Sequence, residues 1–164
     1  VSSSVARAKC QSGACASAQT LGLTQQSMAY QFAGFFFATP LPKPESLPPT
    51  AAWREITSPF RGSGVLLSNL VGKVVQPQQV RSLAQDLGIT EGTTWLFLQY
   101  DCWGGEIDFV YGMGSIMGAE YGPVEESARG SVEAAYVQLM AHLGVTPESA
   151  LDFAPFERGF WGEQ

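Results

Sequence analysis

Two stretches of the chain repeat their apolar residues at the spacing of an amphipathic helix. The first covers residues 77–87, and Pro77 suits its first turn because that position needs no backbone N–H donor. The second covers residues 124–143, with Glu125 and Glu126 near its start, where the helix dipole favours carboxylates. The pattern therefore predicts two principal helices.

Shorter stretches have the composition of β-strands. The apolar run at residues 30–37 is rich in aromatic side chains and stops before Pro40, where a proline-rich connection begins. Residues 53–57 alternate well enough for a short strand, and residues 64–68 are placed to pair with them across a turn. These stretches predict the first part of an antiparallel sheet.

The clearest predicted element is a β-hairpin. Residues 93–100 and 106–112 are rich in β-forming side chains, and residues 101–105 between them contain two glycines that suit a tip. The alternation predicts these inward-facing residues: Leu96, Leu98, Tyr100, Ile107, Phe109 and Tyr111. Together the elements predict an α+β fold, with an antiparallel sheet of about four or five strands and two main helices packed on one face.

Length and composition fit a single domain. The chain has 164 residues, of which 45% are hydrophobic, so it can bury a sizeable core. Residues 1–27 are poor in large apolar side chains, and we expect them to form a flexible N-terminal tail whose deletion leaves the thermal midpoint nearly unchanged. Residues 28–164 are expected to form one globular α+β domain. The longest apolar run is too short to span a bilayer, so no membrane partner is expected.

Charge divides unevenly between the two halves of the sequence. Residues 1–82 carry seven basic and two acidic residues, whereas residues 83–164 carry two basic and thirteen acidic ones. The halves therefore have net charges of about +5 and −11, which sum to the −6 of the whole chain. Because clustered charge steers association, the acidic half would repel a nucleic acid and attract a basic protein surface. We expect a basic protein partner and no nucleic acid.

The cysteine count bears on the compartment. Cys10, Cys15 and Cys102 are too few for a disulfide framework, and their odd number leaves at least one free thiol, which favours a reducing compartment. Cys10 and Cys15 could form a local disulfide, although no pairing is the favoured interpretation. We expect a cytoplasmic protein, with the periplasm as the second option.

Candidate chemistry is sparse, and no motif names a reaction. Cys102 lies in the predicted hairpin tip and His142 is the only histidine, so a small cysteine hydrolase is one alternative. Asp101, Glu106 and Asp108 offer carboxylates for hydrolysis or for a divalent cation, but the spacing of a calcium loop is missing. We therefore favour a protein with no catalytic residue, no metal site and no cofactor.

The candidate binding surface is the hairpin tip. Trp103 is flanked there by carboxylates, and tryptophan is common at the energetic centres of protein interfaces. The predicted binding residues, at the tip and at the start of the second helix, are Asp101, Trp103, Glu106, Asp108, Glu125 and Glu126. The sequence thus predicts an acidic protein-binding module, most concretely a small bacterial immunity or inhibitor-type protein that neutralises a basic partner. A further alternative is a non-catalytic subunit of a homo-oligomer, joined through the aromatic segment at residues 153–161.

Overall fold

The computed structural model describes residues 30–89, 92–103, 106–115, 120–125, 129–153, 155 and 159–161. Its elements follow one another along the chain as β1 (Tyr30–Phe37), β2 (Ala51–Ile56), β3 (Gly62–Leu67), a 3-10 turn (Ser68–Leu70), α1 (Pro77–Asp86), β4 (Trp95–Trp103), β5 (Glu106–Gly114), β6 (Glu120–Glu125), α2 (Arg129–Ala141) and α3 (Pro147–Leu151). None of the helices in this described part is both long and apolar enough to cross a membrane. The predicted tail, residues 1–27, lies outside the described residues.

The six strands form one antiparallel sheet in the order β2-β3-β1-β4-β5-β6. The predicted α+β fold with an antiparallel sheet is confirmed. The sheet has more strands than the sequence predicted, because residues 120–125 form β6. The first three strands lie side by side, and the last three continue the sheet from β1. Each half of the sequence therefore builds its own half of the sheet.

Apolar side chains cover both faces of the sheet. In β1, Phe36 belongs to the cluster that α2 covers, whereas Phe35 packs with Val80 and Ala84 of α1. The two principal helices therefore lie on opposite faces, which differs from the prediction that both pack on one face. The reason is that Phe35, Phe36 and Phe37 are all fully buried, so this part of β1 is apolar on both faces and each face needs a cover. We refer to these as the α1 face and the α2 face.

Helix α1 forms where local signals predicted it. Pro77 is its first residue, and the Gln76 backbone N–H donates a hydrogen bond to Gln79 Oε1 at 2.8 Å, as part of a capping box. Gly88 follows the helix with a φ of +72°, a conformation that glycine adopts without steric cost. These signals act within a few residues, which is why the sequence alone could locate the helix.

The β4–β5 hairpin is longer than predicted, and its tip is shorter. The two strands pair as far as Trp103 and Glu106, so only two residues of the sequence separate the last paired positions. Asp101, which the sequence placed in a five-residue tip, is therefore a strand residue. The pairing of the two strands therefore continues beyond residue 100, where the composition predicted that the first strand ends.

A β-bulge changes the inward face of β5. Asp108 is the extra residue, because its neighbours Ile107 and Phe109 pair with consecutive residues of β4. The bulge reverses the alternation of side chains along the strand. Ile107 remains on the α2 face, whereas Phe109 and Tyr111 pack on the α1 face. The predicted inward set therefore divides between the two faces.

Strand β6 occupies the place where the sequence predicted the start of the second helix. Gly122 and Pro123 together lie opposite Tyr111 in a second bulge. Proline cannot donate to a sheet ladder, but an edge strand or a bulge tolerates it. Helix α2 consequently begins at Arg129, later than predicted, and Glu125 belongs to β6 and not to the helix.

The C-terminal aromatic residues complete the core on the α2 face. Trp161 is buried and stacks on Phe32, with ring centroids 5.6 Å apart. It lies over Gly64, where an added Cβ atom would be 2.8 Å from the indole ring, so the absence of a side chain makes the contact possible. The Arg54 guanidinium lies 3.9 Å from the centroid of the Phe160 ring. Phe160 and Trp161 thus dock on the chain's own sheet.

Candidate functional site

The uneven charge of the sequence becomes an uneven charge across the sheet. Strands β4, β5 and β6 contain no basic residue and five acidic ones, namely Asp101, Glu106, Asp108, Glu120 and Glu125. Strands β1 to β3 contain one basic and one acidic residue, Arg54 and Glu55. Because β4 to β6 are neighbours in the sheet, no basic residue of the other strands lies between their acidic positions.

The strand register brings most of these acidic residues to one end of the sheet. Asp101 pairs with Phe109, and Phe109 pairs on its other side with Glu125. Trp103 pairs with Glu106 at the last position of the hairpin. We call this region the acidic end, and it comprises Asp101, Trp103, Glu106, Asp108 and Glu125. Five of the six predicted binding residues therefore lie together, while Glu126 is outside the described residues.

A glutamine from the neighbouring strand orients the carboxylate of Asp101. Gln31 is the register partner of Asp101 in β1, and its Nε2 donates a hydrogen bond to Asp101 Oδ2 at 3.1 Å. The Asp101 side chain is half-buried. Because the amide is neutral, this bond fixes the carboxylate without cancelling its charge. Asp101 is thus a positioned negative charge.

An aromatic ring lies within the row of acidic residues. Phe109 is half-buried and occupies the register position between Asp101 and Glu125. Asp108, next to it in the bulge, is also half-buried. Bulges commonly re-aim a side chain beside a functional surface. The acidic end therefore combines apolar area with carboxylates, as protein interfaces do.

A buried glutamine holds the loop before α1 beside the acidic end. Gln99 Nε2 donates hydrogen bonds to the backbone carbonyl oxygens of Leu70, at 3.1 Å, and Lys73, at 2.9 Å. Gln99 precedes Asp101 by two residues in β4, so both positions are on the α1 face. These two bonds fix the loop beside Gln99, two residues from Asp101 on the same face. The loop therefore forms a fixed border of the acidic end.

The structure does not support Cys102 as a nucleophile. Cys102 is disulfide-bonded, and only 3% of its surface is exposed, on the α2 face. The histidine proposed as its base is at the far end of β5, since a Cβ atom on Gly114 would lie 3.6 Å from the His142 ring. Ile107, the pairing partner of Cys102, is seven residues from Gly114, or roughly 23 Å along a strand. A bonded sulfur without a nearby base cannot start acyl transfer.

The carboxylates do not form a metal centre among the residues described. No three side chains of histidine, cysteine, aspartate or glutamate in those parts of the chain are grouped to hold an ion. Regular alternation would place Glu106 and Asp108, two residues apart in the sequence, on one face of the strand. The bulge at Asp108 breaks the alternation on which that geometry depended.

Two buried tyrosines near the acidic end serve packing. Burial raises the pKa of the Tyr100 hydroxyl well above its ordinary value, and the nearby Tyr30, Tyr136 and Asp101 add to the effect. Burial also raises the pKa of Tyr136, whose hydroxyl donates a hydrogen bond to the carbonyl oxygen of Ala150 at 3.0 Å. Both hydroxyls therefore stay protonated at neutral pH, and neither is suited to proton transfer there.

Sequence reasoning missed Gln31 and Phe109 as parts of this surface. Gln31 lies 70 residues from Asp101 along the chain and meets it only through the pairing of β1 with β4. Phe109 was expected on the same face as Ile107, and the bulge places it on the α1 face instead. No local pattern indicates either position.

Compared with protein-family models, curated proteins and solved structures, the chain matches none of them.

Proposed function

We propose that this chain is an acidic protein-binding module that takes a basic protein partner at its acidic end. The observation that carries the proposal is the strand register, which collects Asp101, Glu106, Asp108 and Glu125 at one end of three strands without any basic residue. Grouped charge of one sign steers a partner of opposite sign and raises the rate of encounter.

The composition of the acidic end also supports protein binding. Phe109 supplies a half-buried ring between acidic positions, and Trp103 is in the same region of the hairpin. Interfaces commonly place aromatic residues at the centre and charged groups around them. We therefore assign steering and rim contacts to the carboxylates, and the central contact to the aromatic residues.

The most concrete form of this function is inhibition of the partner, as in a small immunity-type protein. Such a protein needs a rigid fold and a complementary surface, and it needs no catalytic group of its own. The disulfide at Cys102 and its distance from His142 argue against the cysteine-hydrolase alternative. The homo-oligomer alternative has less support too, because Phe153 and Trp161 are buried in the chain's own core.

The first experiment is capture of the partner from an extract of the protein's own cells at low and high salt. The proposal predicts one predominant basic protein at about 50 mM salt, and its loss at about 500 mM, because ions screen exposed charges within a few ångströms at high salt. Alanine at Trp103 should weaken capture at low salt as well. Capture that is unaffected by salt and by this change would contradict the proposal.

A further inference from the structure

The disulfide at Cys102 is part of the structure that the proposed function does not use. Cys102 is on β4, between Asp101 and Trp103, and only 3% of its surface is exposed to solvent. The structure contains a single chain, so the bond is within it, and the sequence contains two other cysteines, Cys10 and Cys15.

We infer that Cys102 is one half of a covalent clasp that joins the N-terminal segment to the sheet beside the acidic end. The register supports this assignment independently, because Cys102 pairs with Tyr30, the first described residue of β1. Strand β1 thus begins at Tyr30, directly opposite Cys102. The clasp requires only that one of the two N-terminal cysteines comes back to this point.

The bond forms by thiol–disulfide exchange with a disulfide oxidant, either a small molecule or an oxidoreductase. The Cys102 thiol and one N-terminal thiol each lose a proton, the two sulfurs join, and the oxidant takes up two electrons and is released as two thiols. The third cysteine remains a thiol, which agrees with the odd number in the sequence. Disulfides of this kind persist in oxidising compartments, so the clasp favours the periplasm or another such compartment over the cytoplasm.

The clasp reverses one expectation from the sequence. A loop of about 90 residues closed by a disulfide restricts the unfolded chain strongly, and its loss commonly destabilises a small domain. Deletion of residues 1–27, or reduction of the bond, should therefore lower the thermal midpoint by about 10 °C instead of leaving it nearly unchanged. The predicted tail would then be a part of the fold.

The test is a peptide map of the full chain after oxidative refolding in a glutathione buffer. The denatured protein is alkylated without reduction, digested and analysed by mass spectrometry. The inference predicts a linked pair of peptides that contains Cys102 and either Cys10 or Cys15, with the remaining cysteine alkylated. Alkylated Cys102, a bond between Cys10 and Cys15, or a bond between two molecules would each overturn it.

Matched variants separate the bond from the packing of Cys102. Cys102→Ser changes a buried side chain as well as the bond, whereas the double variant Cys10→Ser/Cys15→Ser removes only the bond partners. The double variant should lose about 10 °C in thermal midpoint, as the reduced wild type does. A double variant within about 2 °C of the oxidised wild type would refute a stabilising clasp. Neither readout depends on partner capture, so failure here is distinct from failure of the proposed function.

Discussion

Replacing Trp161 with alanine is expected to lower the free energy of unfolding by about 3–5 kcal/mol, measured by chemical denaturation. The side chain is buried, stacks on Phe32 and donates a hydrogen bond from Nε1 to the carbonyl oxygen of Pro155 at 3.1 Å. The Tyr30 hydroxyl donates to the same oxygen at 3.2 Å. The loss therefore leaves a cavity over Gly64 and also releases the end of the chain.

Trp53→Ala is the matched control for this change. Trp53 is a half-buried tryptophan on the edge strand β2, stacked on Phe37 with ring centroids 6.0 Å apart. It should cost less than Trp161→Ala, because part of its surface is already in contact with water. Equal costs, or a cost below about 1 kcal/mol for Trp161→Ala, would mean that the C-terminal aromatic residues do not complete the core.

Leu139→Ala should cost about 2–5 kcal/mol, for a different reason. Leu139 is fully buried in α2, and a Cβ atom on Gly112 would lie 2.6 Å from its side chain. The glycine therefore lets the helix approach β5 closely, and shortening Leu139 opens a gap that neither backbone can fill. The same measurement by chemical denaturation checks the value.

Ser131→Ala, at an exposed position of the same helix, is the control for helix propensity. It should change the free energy of unfolding by about 0.5 kcal/mol or less. If Leu139→Ala has an effect as small as this, α2 does not pack on β5 through Leu139.

Elements with local signals could be predicted from the sequence. Pro77 and Gly88 delimit α1 within a residue or two, and the β-forming runs on either side of residues 104–105 identify the hairpin. The start of α2 could not be predicted, because glycine and proline, here Gly122 and Pro123, are also common in turns and at the ends of helices. Their place in a bulged edge strand depends on β5, which a local pattern does not include.

The two-sided burial of the sheet is a second feature that depends on distant contacts. The apolar run of β1 indicated a buried strand, but it did not say which helix covers which face. Only the pairing of β1 with β3 and β4 fixes the direction of each side chain. Each helix then packs on its own face, α1 through Val80 and α2 through Leu139.

The candidate site was predicted in part. The carboxylates of the hairpin were identified from their position near the tip, and the register brings Glu125 to them through β6. The bulge at Asp108 and the hydrogen bond from Gln31 could not be predicted, since both arise from pairing between strands. The bonded state of Cys102 likewise has no local signature.

Binding of the captured partner to a charge-neutralised variant is the decisive measurement for the function of the acidic end. Asp101→Asn/Asp108→Asn removes two charges from the acidic end at nearly constant volume, and Glu45→Gln/Glu55→Gln removes two exposed charges from the other half of the protein. With affinities measured by calorimetry at low salt, we expect about tenfold weaker binding for the first variant and a change within about twofold for the second. Equal affinities for the two variants would contradict the claim that the acidic end binds the partner.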